Sequence, residues 1–175
     1  MPKIVQMKDH NGEIFPNTHV QHMTLTHSPS YQYSHQKSTW MIVYFTKIHY
    51  SNTKLLTEKK VTANEYNGIT IGKGVHQVRV SFKICTYPVD TISAANYYFA
   101  GLYKNGVQYY KNISRLVTWT NIGCDNLILD VTEGDVLDIR IFSDIATGTL
   151  VKFETFSSAT FGLAPMTYFT VEVLN

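Results

Sequence analysis

The stretch that decides the fold is "NLILDVTEGDVLDIRI", Asn126 to Ile141. Its apolar residues come in two alternating triplets, Leu127, Leu129 and Val131 before Gly134, and Leu137, Ile139 and Ile141 after it. Side chains alternate between the two faces of a strand, so each triplet marks a strand with one buried face. Both triplets occupy odd positions. A two-residue hairpin centred on Glu133-Gly134 would set Leu129 against Asp138 and mix core with solvent. Matching odd with odd needs an odd-length, bulged loop or a corner that carries the chain from one sheet to another. The four carboxylates Asp130, Glu133, Asp135 and Asp138 also invite a chemical reading. An acid pair for glycoside hydrolysis must face a common space, and a calcium loop must converge several oxygens in one turn. The alternation instead places Asp130 and Asp138 on the polar faces of their strands, with Glu133 and Asp135 flanking Gly134. The reading is a solvated turn whose carboxylates keep an outer face wet.

The rest of the chain repeats this alternation. With 175 residues it has room for one sizeable core but not for two ordinary domains. Its 12 Tyr and 9 Phe suit pleated surfaces better than helices. In "HQVRVSFKICTYP", Val78, Val80, Phe82 and Ile84 share one face until Pro88 stops the ladder. "NYYFAGLYKNGVQYYKNI" contains Asn105-Gly106, the pair that a two-residue type I′ hairpin requires. That register sets Leu102 opposite Tyr109 and Tyr98 opposite Ile113. Leu116 to Ile122 forms a further short strand, and the closing "TYFTVEVLN" is apolar enough to lie centrally in a sheet. "KLLTEKKVTANEY", Lys54 to Tyr66, breaks any helical stripe at Lys59 and Lys60 and reads as loop or edge strand. About eight to ten short strands separated by Gly, Asn and Pro give an all-β fold, a sandwich or jelly roll of two antiparallel sheets.

Residues 1–38 differ. They hold His10, His19, His22, His27 and His35 and end in a polar stretch without period, so they read as an N-terminal arm or attachment segment ahead of a head domain over 39–175. The alternative is that they supply the first strands of the same domain. The opening has no apolar stretch of signal-peptide length, and the longest apolar run, Trp40 to Phe45, is far short of a membrane span. Cys85 and Cys124 then read as reduced thiols, and the acceptor triplet at Asn112 carries no weight. A net charge of +2 without a basic cluster argues against nucleic acid and against an anionic membrane surface.

No catalytic motif stands out: there is no Gly-x-Ser-x-Gly elbow, no phosphate-binding glycine loop and no Cys-x-x-Cys pair. His19 and His22 would share a metal only if they converged, so neither metal nor cofactor is assigned. Aromatic and amide side chains are abundant near strand ends and loops, among them Tyr31 and Tyr33. A flat ring covers the apolar face of a sugar while Asn fixes its hydroxyls. Tyr87, Trp119, Asn121 and Asn126 are therefore the candidate ligand-binding residues.

Four pieces, "NGITIGKGVHQVRVSFKI", "YFAGLYKNGVQ", "LILDVTEGDVLDIRI" and "YFTVEVLN", together resemble the jelly-roll domain shared by complement-type and tumour-necrosis-factor-type proteins. The order fits over roughly Trp40 to Asn175 and favours the corner at Gly134. The resemblance implies a homotrimer with the aromatic closing strand at its axis. "IVQMKDHNGEIFPNTH" resembles the openings of phage tail-fibre, baseplate and head-fibre proteins, carried here by Asp9, Gly12, Pro16, Thr18 and His19. Such proteins lack signal peptides, assemble in the host cytoplasm and are virion components. The two resemblances imply a trimeric receptor-binding protein that adheres to a host-surface glycan, attaches to other virion proteins through its N-terminal segment, inserts into no membrane and is not an enzyme. A purely structural virion decoration or baseplate protein is the alternative, with a glycan hydrolase or esterase behind it.

Overall fold

The computed structural model describes residues 21–26, 32–34, 36–51, 53–88, 97–115, 120–145, 150–153, 155–158, 162–165 and 167–174. Among them are strands and no helix. In chain order they are β1 (His22–Thr26), β2 (Gln32–Ser34), β3 (Met41–Ile42), β4 (Lys47–Ser51), β5 (Leu56–Thr62), β6 (Glu65–Ile71), β7 (Gln77–Pro88), β8 (Tyr97–Lys104), β9 (Val107–Arg115), β10 (Thr120–Asp130), β11 (Val136–Ser143), β12 (Leu150–Phe153), β13 (Thr155–Ser158), β14 (Gly162–Pro165) and β15 (Tyr168–Val173).

Two antiparallel sheets face each other across the core. The first runs β2-β12-β7-β15-β1-β4, with β10 along the other edge of β7; the second runs β5-β6-β11-β8-β9, with β3 beside β11. β13 and β14 pair with each other. The closing strand β15 is central, flanked by β7 and β1. Val78, Val80, Phe82 and Ile84 of β7 and Phe169 and Val171 of β15 are buried on the inner face of the first sheet. Tyr98, Ala100 and Leu102 of β8 join Leu137, Ile139 and Ile141 of β11 from the second. Lys54–Tyr66 contains the edge strand β5, in keeping with its broken helical pattern.

Gly134 marks a corner. β10 belongs to the first sheet and β11 to the second, so the apolar triplets on either side of Gly134 face one core from opposite sides. Gly134 has a φ of +86°, a conformation that favours glycine. Its amide donates to the Ile71 carbonyl (2.8 Å), Ile71 N donates to the Asp135 carbonyl (2.8 Å), and Val131 N donates to the His76 carbonyl (2.9 Å). The corner between β10 and β11 is thus bonded to the reverse corner between β6 and β7.

Two carboxylates of the opening stretch are not on a wet face. Asp135 is buried because its oxygens are occupied: Oδ1 accepts from Asn105 Nδ2 (2.6 Å) and Oδ2 from the Thr132 amide (2.9 Å), with Lys104 Nζ at 3.6 Å. Asn105 Oδ1 in turn accepts from Val136 N (2.8 Å), which ties the β8–β9 hairpin tip to the corner. Asp138 is also buried, held by Arg140 Nε (2.7 Å) and Nη2 (3.3 Å), and Arg140 lies 4.2 Å over the Tyr103 ring. On the same outer face Trp40 packs against Tyr103, Phe99 and Phe142 at centroid distances of 5.6, 6.4 and 5.4 Å.

The hairpin turns at Asn105 and Gly106, with φ of +52° and +79°. Its register differs from the simple two-residue pattern: a bulge between Leu102 and Tyr103 sets Leu102 opposite Tyr110 and Tyr98 opposite Ser114. The extra residue leaves Tyr109 half-exposed. Residues 120–130 form one continuous strand, where the sequence reading ended a short strand at Ile122. β1 and β2 fall inside the segment read as an N-terminal arm. β1 pairs with β15 and β4 and buries Met23 and Leu25, so the jelly roll begins before residue 39. Residues 1–20, with the attachment candidates, lie outside the described residues.

Burial pushes the Asp135 carboxyl upward, but hydrogen bonds from Asn105 and Thr132 and the charge of Lys104 outweigh it, leaving the group below the usual carboxylate value. A depressed folded-state value stabilises the fold above the unfolded pKa of about 3.9, and that contribution is lost as pH falls through the folded value. Asp135→Asn is expected to cost about 1–3 kcal/mol at pH 7. Thermal melts of both proteins from neutral to acid pH check this, since the difference between them must close as the wild-type carboxyl protonates.

Candidate functional site

The outer face of the first sheet carries an open dent of roughly 350 Å³, lined by Phe82, Lys83, Asn121, Ile122, Gly123, Asp125 and Tyr168. Three strands build it. Alternation on β7 buries Phe82 and Ile84 and turns Lys83 outward; on β10 it buries Ile122 and turns Asn121 and Gly123 outward. Gly123 pairs with Lys83, and Lys83 pairs on its other side with Tyr168. Gly123 makes the floor: a Cβ there would run into the Phe82 carbonyl oxygen and lie 3.2 Å from Lys83 Cα. A glycine inside a strand commonly marks such close backbone approach.

A bulge shapes one wall. The β10–β7 register shifts between Cys124 and Leu127. Asn126 adopts a φ of +59°, a left-handed conformation that Asn tolerates, and its amide donates to Ser81 Oγ (3.1 Å). Asp125 continues the outward row of Asn121 and Gly123 just before the bulge, and Tyr168 Oη donates to its Oδ1 (3.5 Å). Burial raises the Tyr168 phenol above its usual pKa, and the neighbouring negative charge of Asp125 raises it further, so the hydroxyl stays protonated and donates. Thr167, fully buried, pins the start of β15: Cys85 N donates to its hydroxyl (3.0 Å), which donates to the Cys85 carbonyl (3.1 Å). Tyr168 therefore rises from a fixed point.

The dent offers a ring, an amide, a carboxylate and an ammonium. The ion pairs among the described residues join Lys60 to Glu58, Arg79 to Glu172, Lys104 to Asp135 and Arg140 to Asp138, and Lys83 is in none of them. Such a mixture can cover an apolar ring face and exchange hydrogen bonds with hydroxyls.

Of the sequence-derived candidates, Asn121 lines the dent. Asn126 is exposed in the bulge just beyond Asp125 and does not line it; its positive φ gives it a backbone role. Tyr87 lies in β7 opposite Lys152, but its side chain, like Trp119, Tyr31 and the attachment residues Asp9, Gly12, Pro16, Thr18 and His19, is outside the described residues. Lys83, Gly123, Asp125 and Tyr168 were not singled out from sequence; the signal available was Gly123, a glycine inside an otherwise regular strand. His22 is on β1, while His19 is outside the described residues, and among the described residues no group of three or more His, Cys, Asp or Glu is placed to hold a metal. Cys85 and Cys124 form no disulfide, and no described helix is long and apolar enough to cross a membrane.

No protein-family model and no curated protein sequence matches the chain. Its fold is similar to solved structures of tumour-necrosis-factor type. Murine APRIL at pH 5.0 superposes with a TM-score of 0.54 at 9% identity, covering 89% of this chain and 99% of that one. Murine APRIL at pH 8.0 gives 0.54 at 11% identity over 88% and 100%. The Eiger TNF of S. frugiperda gives 0.50 at 9% identity over 89% and 93%. At these identities the likeness is one of fold: the chain is a jelly roll of the tumour-necrosis-factor kind.

Gly123→Ala is expected to push β10 and β7 apart and cost about 1–3 kcal/mol, whereas Asp125→Ala, at an exposed position, should stay within about 0.5 kcal/mol of wild type. Denaturant midpoints of the two variants check the assignment of floor and wall.

Proposed function

We propose that the chain is the homotrimeric head of a virion-associated fibre or tail protein, and that it adheres to a host-surface glycan through the dent at Gly123. The observation that carries this is the dent itself, where Tyr168, Asn121, Asp125 and Lys83 converge over a glycine floor. Ring and amide are the groups expected of a sugar site from sequence, and Asn121 is common to both lines of argument. The resemblance of Asp9 to His19 to phage fibre openings supports attachment to other virion proteins through the N-terminal segment. The role is binding rather than catalysis: the oxygens of Asp135 and Asp138, the nearest approach to an acid pair in the sequence, are engaged by internal donors. An open site of this size has modest affinity, on the order of millimolar for one sugar, and a trimer on a particle multiplies it by avidity.

A second reading has an observation of its own. Tyr168 belongs to the closing strand, which the family resemblance puts at the trimer axis. The dent would then meet a neighbouring protomer, and the protein would be a structural virion component.

One pair of measurements on the same variants separates the readings. Tyr168→Ala and Asn121→Ala are expected to keep the trimer mass in analytical ultracentrifugation and to weaken glycan binding at least about tenfold, the equivalent of 1.4 kcal/mol. A Tyr168→Ala protein that falls to monomer makes the dent a protomer contact. A wild-type trimer that retains no saccharide on a glycan array points to the structural role, and a wild-type monomer at micromolar concentration removes the trimer.

A further inference from the structure

The charge pattern of the dent narrows its ligand. Along β10 the outward positions run Asn121, Gly123, Asp125, and Lys83 stands in the middle, across from the glycine floor and beside Tyr168. The nearest charged neighbours on this face are accounted for. Arg79 and Glu172 neutralise each other at 3.2 Å, and Asp125 at the far end receives the Tyr168 hydroxyl. Lys83, half-buried in the floor, is the cation of the dent and has no carboxylate partner among the described residues. An ammonium outside every ion pair of the described residues favours a ligand that brings a counter-charge. Asp125 repels an anion at its own end and accepts hydrogen bonds from hydroxyls there.

Resting on the reading of the dent as a saccharide site, we infer that it selects a carboxylate-bearing sugar, a uronic or ulosonic acid, whose carboxylate meets Lys83 while its hydroxyls face Asp125 and Asn121 and its ring lies against Tyr168. The specificity is directional: the two charges at separated positions fix which way round the sugar sits. Neutral sugars keep the ring and hydroxyl contacts and lose the ionic one.

The test uses the full chain in its assembled state and matched probes: sialyllactose and a hyaluronan hexasaccharide, each beside its carboxyl-reduced counterpart, measured by biolayer interferometry. The expected result is that at least one acidic probe binds about tenfold or more tighter than its neutral partner, and that this preference shrinks as salt rises from about 50 to about 500 mM. Lys83→Gln should abolish the preference of the acidic over the reduced probe, and Lys83→Arg should restore it. Equal binding of acid and reduced probes by the wild type overturns the inference and leaves the glycan reading standing. So does a Lys83→Gln protein that keeps the preference. Failure of all four probes, with no saccharide retained on an array, overturns the glycan reading together with the inference.

Discussion

The fold depends on one constraint: the chain must cross from the first sheet to the second at residues 131–135, where strand pairing no longer supplies its backbone with partners. It meets this by bonding one crossing to another. Gly134 and Val131 donate to carbonyls of the β6–β7 corner, Ile71 donates back to Asp135, and Asn105 closes the group from the β8–β9 hairpin. Three connections remote in sequence hold one another. A buried carboxylate inside such a network is tolerated because each of its oxygens accepts from a fixed donor and Lys104 lies close by, which is why Asp135 is held below the usual carboxylate pKa at its buried position.

The phase of β10 follows from the same demand. Upstream, Ile122 and Cys124 point inward from even positions; downstream, Leu127 and Leu129 point inward from odd ones. The bulge at Asp125 and Asn126 makes this switch, and without it Leu129 and Val131 would arrive at the corner facing solvent. The dent sits at that switch. Asp125 is the last outward residue before the switch, the positive φ at Asn126 is its local cost, and Gly123 two residues earlier allows β7 to approach. The candidate site thus lies directly against the bulge that keeps the core in register.

This explains what could be read from sequence. Alternation in β7, β11 and β15 is unbroken, so Val78 to Ile84, Leu137 to Ile141 and Phe169 to Val171 announce their buried face directly. The equal parity across Gly134 points to a corner for the same reason. Bulges defeat that kind of reading, because they depend on partner strands: the one at Tyr103 shifts the hairpin register by a residue, and the one at Asp125 merges two expected strands into β10. β1 was hidden for a different reason. It has only five residues, and its inward Met23 and Leu25 alternate with His22, Thr24 and Thr26 among polar neighbours, so its burial comes from β15 and β4 rather than from its own pattern. The dent was legible only through Asn121, since Lys83, Gly123 and Tyr168 meet across strands far apart in the chain.

The two outer faces of the sandwich differ in a way that bears on partners. The first sheet presents a ladder already paired with itself, Arg79 with Glu172, Thr24 with Thr170 (2.8 Å between hydroxyls) and Asn126 with Ser81, broken by the dent. The second presents aromatic rings that Trp40 gathers over Gly101, with Arg140 stacked beside them. A self-paired polar ladder gains little from a second protein, because each bond it would make replaces one it already has. Lys83 stands in the dent outside that ladder and in none of the ion pairs of the described residues. Its strand is hydrogen-bonded along both edges, so the backbone that carries Lys83 is fixed and binding has only the side chain left to order. On this balance the polar face is better suited to a small hydroxylated anion than to a broad protein contact.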